Sequence, residues 1–203
     1  MNRYKTLLWR CIVAFALTTP FAQAATLQIN PISTQVDKGK TFSVSINISG
    51  LRSTQALGGY DISLGYNTDL LQFKSATFGD PKLGDQLDLS GKGLNSPLVT
   101  ADSSSINLIE FSLDDSADLL AKQADDFTLA TLYFTALTTG TSPLALSLNS
   151  LSDSEANPLL ASSNNGSVTI NAPVNAVPLP AAIWLFAPAL TLLMRKRSNR
   201  SNS

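Results

Sequence analysis

Residues 41–48 read Thr41-Phe-Ser-Val-Ser-Ile-Asn-Ile48, with Phe42, Val44, Ile46 and Ile48 apolar and Thr41, Ser43, Ser45 and Asn47 polar. A strict period of two puts every apolar chain on one face of a strand and leaves the other face wet. The pattern returns at Tyr60, Ile62, Leu64 and Tyr66 after Gly58-Gly59, and at Leu144, Leu146 and Leu148 after Pro143. Leu27 and Ile29 predict a first strand, Ile106 to Leu113 another, and Val168 with Ile170 a last short one after the turn Asn164-Asn165-Gly166. Residues 127–137, FTLATLYFTAL, are apolar on both parities and rich in β-branched and aromatic types. They predict a central strand partly covered on both faces.

Between these strands, 80–100 carries Pro81, Gly84, Gly91, Gly93 and Pro97 and reads as a long ordered loop interrupted by brief strands. Leu119, Leu120 and Gln123 stand at helical spacing within Ser116 to Gln123, enough for one short helical turn. Alternating strands that each offer one apolar face need a second sheet to cover it. The fold class is therefore all-β, a sandwich.

Both ends differ from this body. Arg3, Lys5 and Arg10 precede an uncharged stretch from Cys11 to Pro20, and Ala22-Gln23-Ala24 offers a small-x-small cleavage site. That is the layout of a signal peptide over 1–24, with the mature chain starting near Ala25; a permanent N-terminal anchor is the alternative. At the far end Pro178 to Met194 is uncharged and, as a helix, would extend roughly 25 Å, the lower end of what crosses a hydrocarbon core of about 30 Å. Pro188 lies inside the run, and Arg195, Lys196, Arg197 and Arg200 follow as a cytoplasmic stop. The expectation is a C-terminal transmembrane helix, exported body outside and basic tail inside; packing of the run into the domain core is the alternative.

Composition narrows the function. The chain has a formal net charge of −1, but all fifteen acidic residues and only seven basic ones fall between the two ends, so the exported body carries −8. A field of that sign opposes nucleic acid, whose phosphates require Lys and Arg. No histidine occurs, which excludes imidazole-based triads and zinc sites. The single cysteine, Cys11, belongs to the leader, so the mature domain has no disulfide.

The body carries Val36-x-x-Gly39-Lys40-x-Phe42-x-Val44-x-Ile46, then Gly59-Tyr-Asp-Ile-Ser-Leu-Gly-Tyr-Asn-Thr-Asp-Leu-Leu-Gln-Phe73, and later Phe127 to Phe134, Gly140-Thr-Ser-Pro-Leu144, Leu151-Ser-Asp153 and Gly166-Ser-Val-Thr-Ile170. In order and spacing it resembles a cohesin-like domain over most of 27–171. The resemblance implies a nine-stranded sandwich of jelly-roll topology that docks a dockerin, a small calcium-binding partner. Gly39 suits a turn of positive φ before the alternating strand, and Asn67-Thr68-Asp69 makes a polar bend where the family usually has Asp-Pro.

The C-terminus joins Val177-Pro178-Leu179-Pro180-Ala181-Ala182, then Trp184 in the apolar run, to the basic Arg195, Lys196 and Arg197. These elements, in that order, resemble the PEP-CTERM sorting signal of Gram-negative bacteria, in a form with Leu179 where Glu commonly stands. The resemblance implies processing by an exosortase after signal peptidase has removed the leader, and a place in the membrane, on the cell surface or in the extracellular matrix. The organisation read is 1–24 signal peptide, 25–172 cohesin-like β-sandwich, 173–177 linker and 178–200 sorting signal with transmembrane segment and basic tail.

For chemistry, the carboxylate groups Asp114, Asp115 and Asp118, or Asp125 and Asp126, are the candidates, beside two glutamates, Glu110 and Glu155, with nothing in the sequence to bring them together. They read as solvated loop acids, and the chain as a non-enzyme. A structural calcium at 114–118 or at Asn149 to Asn157 has oxygen ligands enough but lacks the central glycine and terminal glutamate of a calcium loop, so no cofactor is assigned. The binding face is placed on strand 60–66 and its expected neighbour 70–73, with Asp61, Ser63, Asn67 and Asp69 as polar contacts. Phe78 is the exposed aromatic for the alternative function, a carbohydrate-binding module holding exopolysaccharide near 76–97.

Overall fold

The computed structural model describes residues 24–51 and 54–173. Among them eleven strands form two sheets: β1 (Ala25–Asn30), β2 (Ser33–Asp37), β3 (Thr41–Ser49), β4 (Leu57–Gly65), β5 (Leu71–Phe78), β6 (Leu98–Ala101), β7 (Ser105–Phe111), β8 (Phe127–Ala136), β9 (Gly140–Asp153), β10 (Ala161–Asn164) and β11 (Gly166–Asn171). One sheet runs β10-β1-β3-β8-β5, the other β2-β11-β9-β4-β7-β6. The alternation in β3 does what its period requires, for Val44, Ile46 and Ile48 are fully buried while Ser43 faces out. In β8, Phe127 to Ala130 are all buried and alternation begins only at Thr131. A register shift against β3 leaves Leu129 without a partner there and interrupts the alternation, and Gly79 and Asp80 close over this end of the strand through the Leu129 carbonyl and the Thr128 N–H.

Consecutive strands seldom lie side by side. Of all consecutive pairs only β6 and β7 are hydrogen-bonded neighbours; every other connection carries the chain to the opposite sheet. Gly39, at φ 84°, makes one such crossing: its N–H donates to the Ala136 carbonyl of β8, and the Lys38 N–H donates to Asn171 at the end of β11. The Asn67 turn makes another, its carbonyl accepting the N–H groups of Leu70 and Leu71 and its Oδ1 that of Asp69. Between the sheets lies a core of Leu27, Ile29, Ile46, Ile48, Ile62, Leu64, Ile106, Leu108 and Phe134, each fully buried.

The resemblance implied nine strands, and two of the eleven have no apolar alternation to announce them. These are β2, Ser-Thr-Gln-Val-Asp, and β10, Ala-Ser-Ser-Asn, each added in parallel at a sheet edge against β11 and β1. Backbone pairing holds such polar strands, helped by one apolar side chain from each, Val36 and Ala161, against the core.

The expected C-terminal transmembrane helix requires correction. No helix among the described residues is long and apolar enough to cross a membrane. The helix present, α1 (Ser116–Lys122), is internal and has seven residues, which extend about 10 Å against a hydrocarbon core of about 30 Å. Membrane anchoring, and the membrane as a partner, are withdrawn with it. The run 178–200, like residues 1–23 of the expected leader 1–24, lies outside the described residues.

Candidate functional site: the outer face of the six-stranded sheet

On β4, Tyr60, Ile62 and Leu64 point into the core, so Asp61 and Ser63 point out. Register then brings amides to them from both neighbours. Asn107 of β7 stands opposite Ser63, and Asn149 projects from β9 where a register irregularity lies opposite Asp61/Ile62. Asp61 Oδ1 accepts Asn107 Nδ2 at 2.6 Å and Asn149 Nδ2 at 2.8 Å, and Ser63 Oγ accepts the same two amides at 3.2 and 2.9 Å. The Asp61 Oδ2 accepts nothing from the described residues, leaving a charged acceptor turned outward. Beside Asn149 a groove of about 440 Å³ runs between β9 and the Ala156–Leu159 turn.

Next to this polar centre lies an apolar ladder. Leu98 of β6 pairs with Ile109 of β7. Beyond it the Ser96 N–H donates to the Phe111 carbonyl and the Leu113 N–H to the Leu94 carbonyl, continuing the same two-stranded register through the Asn95–Ser112 bridge. Leu98, Phe111, Leu113 and Leu94 are exposed by 53, 46, 61 and 37%. Four exposed large apolar side chains on two paired segments, beside hydrogen-bonding groups, are the composition of a contact surface rather than of an idle wet sheet. Gly59 lies opposite Phe111, and a Cβ there would approach Phe111 Cβ to 3.0 Å, so the missing side chain lets the ring lie close to β4.

The inner parity of these segments holds a buried carboxyl. Glu110 is 1% exposed; its Oε2 accepts the Tyr60 O–H at 2.8 Å and its Oε1 accepts Asn95 Nδ2 at 2.9 Å, while the same amide donates to Asp85 Oδ2 at 2.6 Å. Burial pushes the Glu110 carboxyl up to about 7, opposed by the Tyr60 hydrogen bond and reinforced by the charge of Asp85. Burial, then the charge of Glu110, raises Tyr60 well above the usual phenol range. An unfolded Glu titrates near pH 4.3, so the folded state keeps a proton that the unfolded chain gives up. The stability this contributes is complete below about pH 4 and is lost as pH rises through about 7.

The residues read from the sequence are divided. Asp61 and Ser63 come together on the outer face. Asn67 and Asp69 form the β4–β5 turn, where the Asn67 side chain caps Asp69 and its N–H donates to Ser142 Oγ. Strands β4 and β5 belong to different sheets, so 60–66 and 70–73 share no face. Phe78 ends β5, half-buried against the core. Of the acids weighed for catalysis or calcium, three hold the backbone, Asp114 accepting Leu89 N–H, Asp126 accepting Gly50 N–H and Asp153 accepting those of Glu155 and Asn157, while Asp118 pairs with Lys122 at 2.8 Å. Among the described residues no three His, Cys, Asp or Glu side chains are grouped to hold a metal ion. Missed were Asn107, Asn149, Leu98, Phe111 and the burial of Glu110. One signal was present, since Ile106 and Leu108 share a parity with Glu110 while Ile109, Phe111 and Leu113 take the other.

Comparison with known proteins agrees with this architecture. The family model described as the cohesin domain matches residues 26–170. The solution structure of CaCohA2 from Clostridium acetobutylicum is similar at 20% identity over 73% of this chain and 92% of its own, with a TM-score of 0.56. A non-cellulosomal cohesin from Archaeoglobus fulgidus shares 16% over 75% of this chain and 94% of its own, TM-score 0.56. The type I cohesin–dockerin complex Coh-OlpA-Doc918 from Clostridium thermocellum gives 15% over 73% of this chain and 100% of the matched chain, TM-score 0.58. Such identities establish likeness of fold. No curated protein matches the chain.

Proposed function

The chain belongs to the cohesin domain family, and from that premise we propose that its sandwich is a docking module whose outer β6-β7-β4-β9 face receives a dockerin-type protein partner. The carrying observation is the juxtaposition on that face of the Leu94, Leu98, Phe111, Leu113 strip with the Asp61 cluster. Apolar anchors at the centre of a contact supply affinity, and a charged acceptor at their edge fixes register and selects a partner with basic or amide donors. The domain is non-enzymatic; of the acids weighed for chemistry, Asp153 caps a turn, Asp118 pairs with Lys122 within α1 and Glu110 lies buried against Tyr60.

Calorimetric titration of the chain with a panel of purified dockerin modules, with and without calcium, tests the reading. The expected result is saturable one-to-one binding that chelation abolishes, since the metal orders the partner. Absence of binding across the panel, with binding to soluble matrix glycans instead, would transfer the function to carbohydrate. That alternative drew on Phe78, whose packing against the core gives it little to offer a sugar face.

Processing at Val177 to Ala182 by an exosortase-type enzyme is a separate part of the proposal, supported by the order of residues alone. Mass spectrometry of the mature C-terminus should find cleavage within 177–182. An intact tail would remove the sorting reading and leave the docking one untouched.

A further inference from the structure

The five-stranded sheet differs from the rest of the domain in charge. Strands β10, β1, β3, β8 and β5 carry one charged residue, Lys74, and none of the fifteen acids of the chain. Lys74 stands at the register irregularity of β5 and has no partner on β8. Acids meet this sheet at its margin, where Asp126 accepts the Gly50 N–H and Asp80 that of Thr128. The other sheet, by contrast, turns the Asp61 carboxylate outward. What the five strands present to solvent is hydroxyl and amide. Asn30, Ser45 and Thr131 form one row across β1, β3 and β8, and Ser43, Tyr133 and Ser75 the next across β3, β8 and β5. In the first row the Ser45 and Thr131 hydroxyls are bonded at 3.1 Å, which orders both side chains. In the second, Tyr133 is 40% exposed, an aromatic ring set between two serines. We propose that this face binds a neutral polysaccharide, laid across the strands with one sugar ring seated on Tyr133.

A Ser or Thr hydroxyl and an Asn amide can each donate and accept. Sugar hydroxyls do the same, so the two surfaces can pair in several registers with no fixed charge to strip of water. Four inter-strand steps make the sheet about 19 Å wide, room for several sugar units end to end. The apolar C–H face of a pyranose covers an aromatic ring, while its rim of hydroxyls meets groups placed as Ser43 and Ser75 are. Other occupants fit poorly. Nucleic acid and anionic glycans require clusters of Lys and Arg, and Lys74 stands alone. A basic peptide requires carboxylates, which these strands lack. A second copy of the chain requires several apolar anchors, and Tyr133 is the one large apolar side chain that the five strands expose.

This second face does not depend on the docking reading, and separate variants address the two. Native electrophoresis of the full chain through gels containing dextran, laminarin or galactomannan, with alginate as the anionic comparison, measures retardation against a gel without polysaccharide. At least one neutral polysaccharide should retard the chain, and alginate should not. Tyr133→Ala should raise the dissociation constant roughly tenfold, and Tyr133→Phe should keep binding, because the ring is what the sugar covers. Both should melt with the wild type, since the site is exposed. Thr131→Val, which keeps the β-branched shape and removes the hydroxyl, should weaken binding severalfold. Leu98→Asp, on the other sheet, should leave retardation unchanged, and Tyr133→Ala should leave dockerin binding unchanged. No retardation by any of the three neutral polysaccharides, retardation that Tyr133→Ala does not reduce, or equal retardation by alginate would each overturn the proposal. Retardation lost in Leu98→Asp and kept in Tyr133→Ala would move the glycan to the six-stranded sheet and overturn it as well. Failure of every dockerin to bind while Tyr133 governs retardation would overturn the docking reading alone.

Discussion

Leu98→Asp is expected to weaken dockerin binding about a hundredfold or more, with melting within a few degrees of the wild type. Leu98 is 53% exposed on the edge strand β6, so the free domain hydrates the new carboxylate at little cost. Docking would bury it opposite Ile109, between Phe111 and the partner, with no basic neighbour on the strip to pair it. An unpaired buried charge costs about 3 kcal/mol or more, which is roughly two orders of magnitude in affinity. Ser43→Asp, exposed on β3 of the opposite sheet, supplies the control: it adds the same charge and should leave affinity unchanged. Equal loss in both variants would mean that net charge, not the face, governs binding. Undiminished affinity in Leu98→Asp would remove β6 from the interface.

Phe134→Ala should lower stability by about 4 kcal/mol and the melting temperature by roughly 10 °C, measured by circular dichroism. Phe134 is fully buried on β8. Its ring stacks on Phe42 of β3 at 5.7 Å and meets Tyr66 and Phe73 edge-on at 5.3 and 5.8 Å. Phe42 and Phe73 come from the two strands beside β8, whereas Tyr66 follows β4 of the opposite sheet, so the ring joins both layers. Truncation loses its apolar burial, leaves a cavity and removes three aromatic contacts at once. Phe42→Ala, at a half-buried site with one such contact, should cost clearly less. A loss below about 1 kcal/mol for Phe134→Ala would mean that the two sheets are held elsewhere.

Reading the site from the chain alone succeeded where the cause was local and failed where it was a pairing. Asp61 and Ser63 stand at alternate positions to Tyr60, Ile62 and Leu64, so their outward direction follows from the period of a strand. Their partners Asn107 and Asn149 lie more than 40 residues away, and only the register of β7 and β9 on β4 brings them in. The same limit misplaced 70–73. Adjacency in sequence suggested adjacency in the sheet, whereas the Asn67 turn passes the chain to the other layer. Glu110 shows the converse, an acid on an inward parity that was read as solvated because charged residues are seldom buried without partners. Tyr60 and Asn95 are those partners, and neither is its neighbour in the chain.

The sequence by itself determined that the body is an all-β sandwich, that Gly39 and Asn67 to Asp69 turn the chain, and that residues 25–172 hold no imidazole and no thiol. Each of these is set by residue type or by spacing within a few positions, which a strand or turn translates directly into direction. Only the tertiary structure decided that β4 lies between β7 and β9, that polar β2 and β10 are strands, that a strip from Leu94 to Leu113 is left exposed, and that Glu110 is enclosed beneath it. Those outcomes depend on which distant segments share hydrogen bonds, a choice made by the packing of the whole core and not recorded in the period of any one strand.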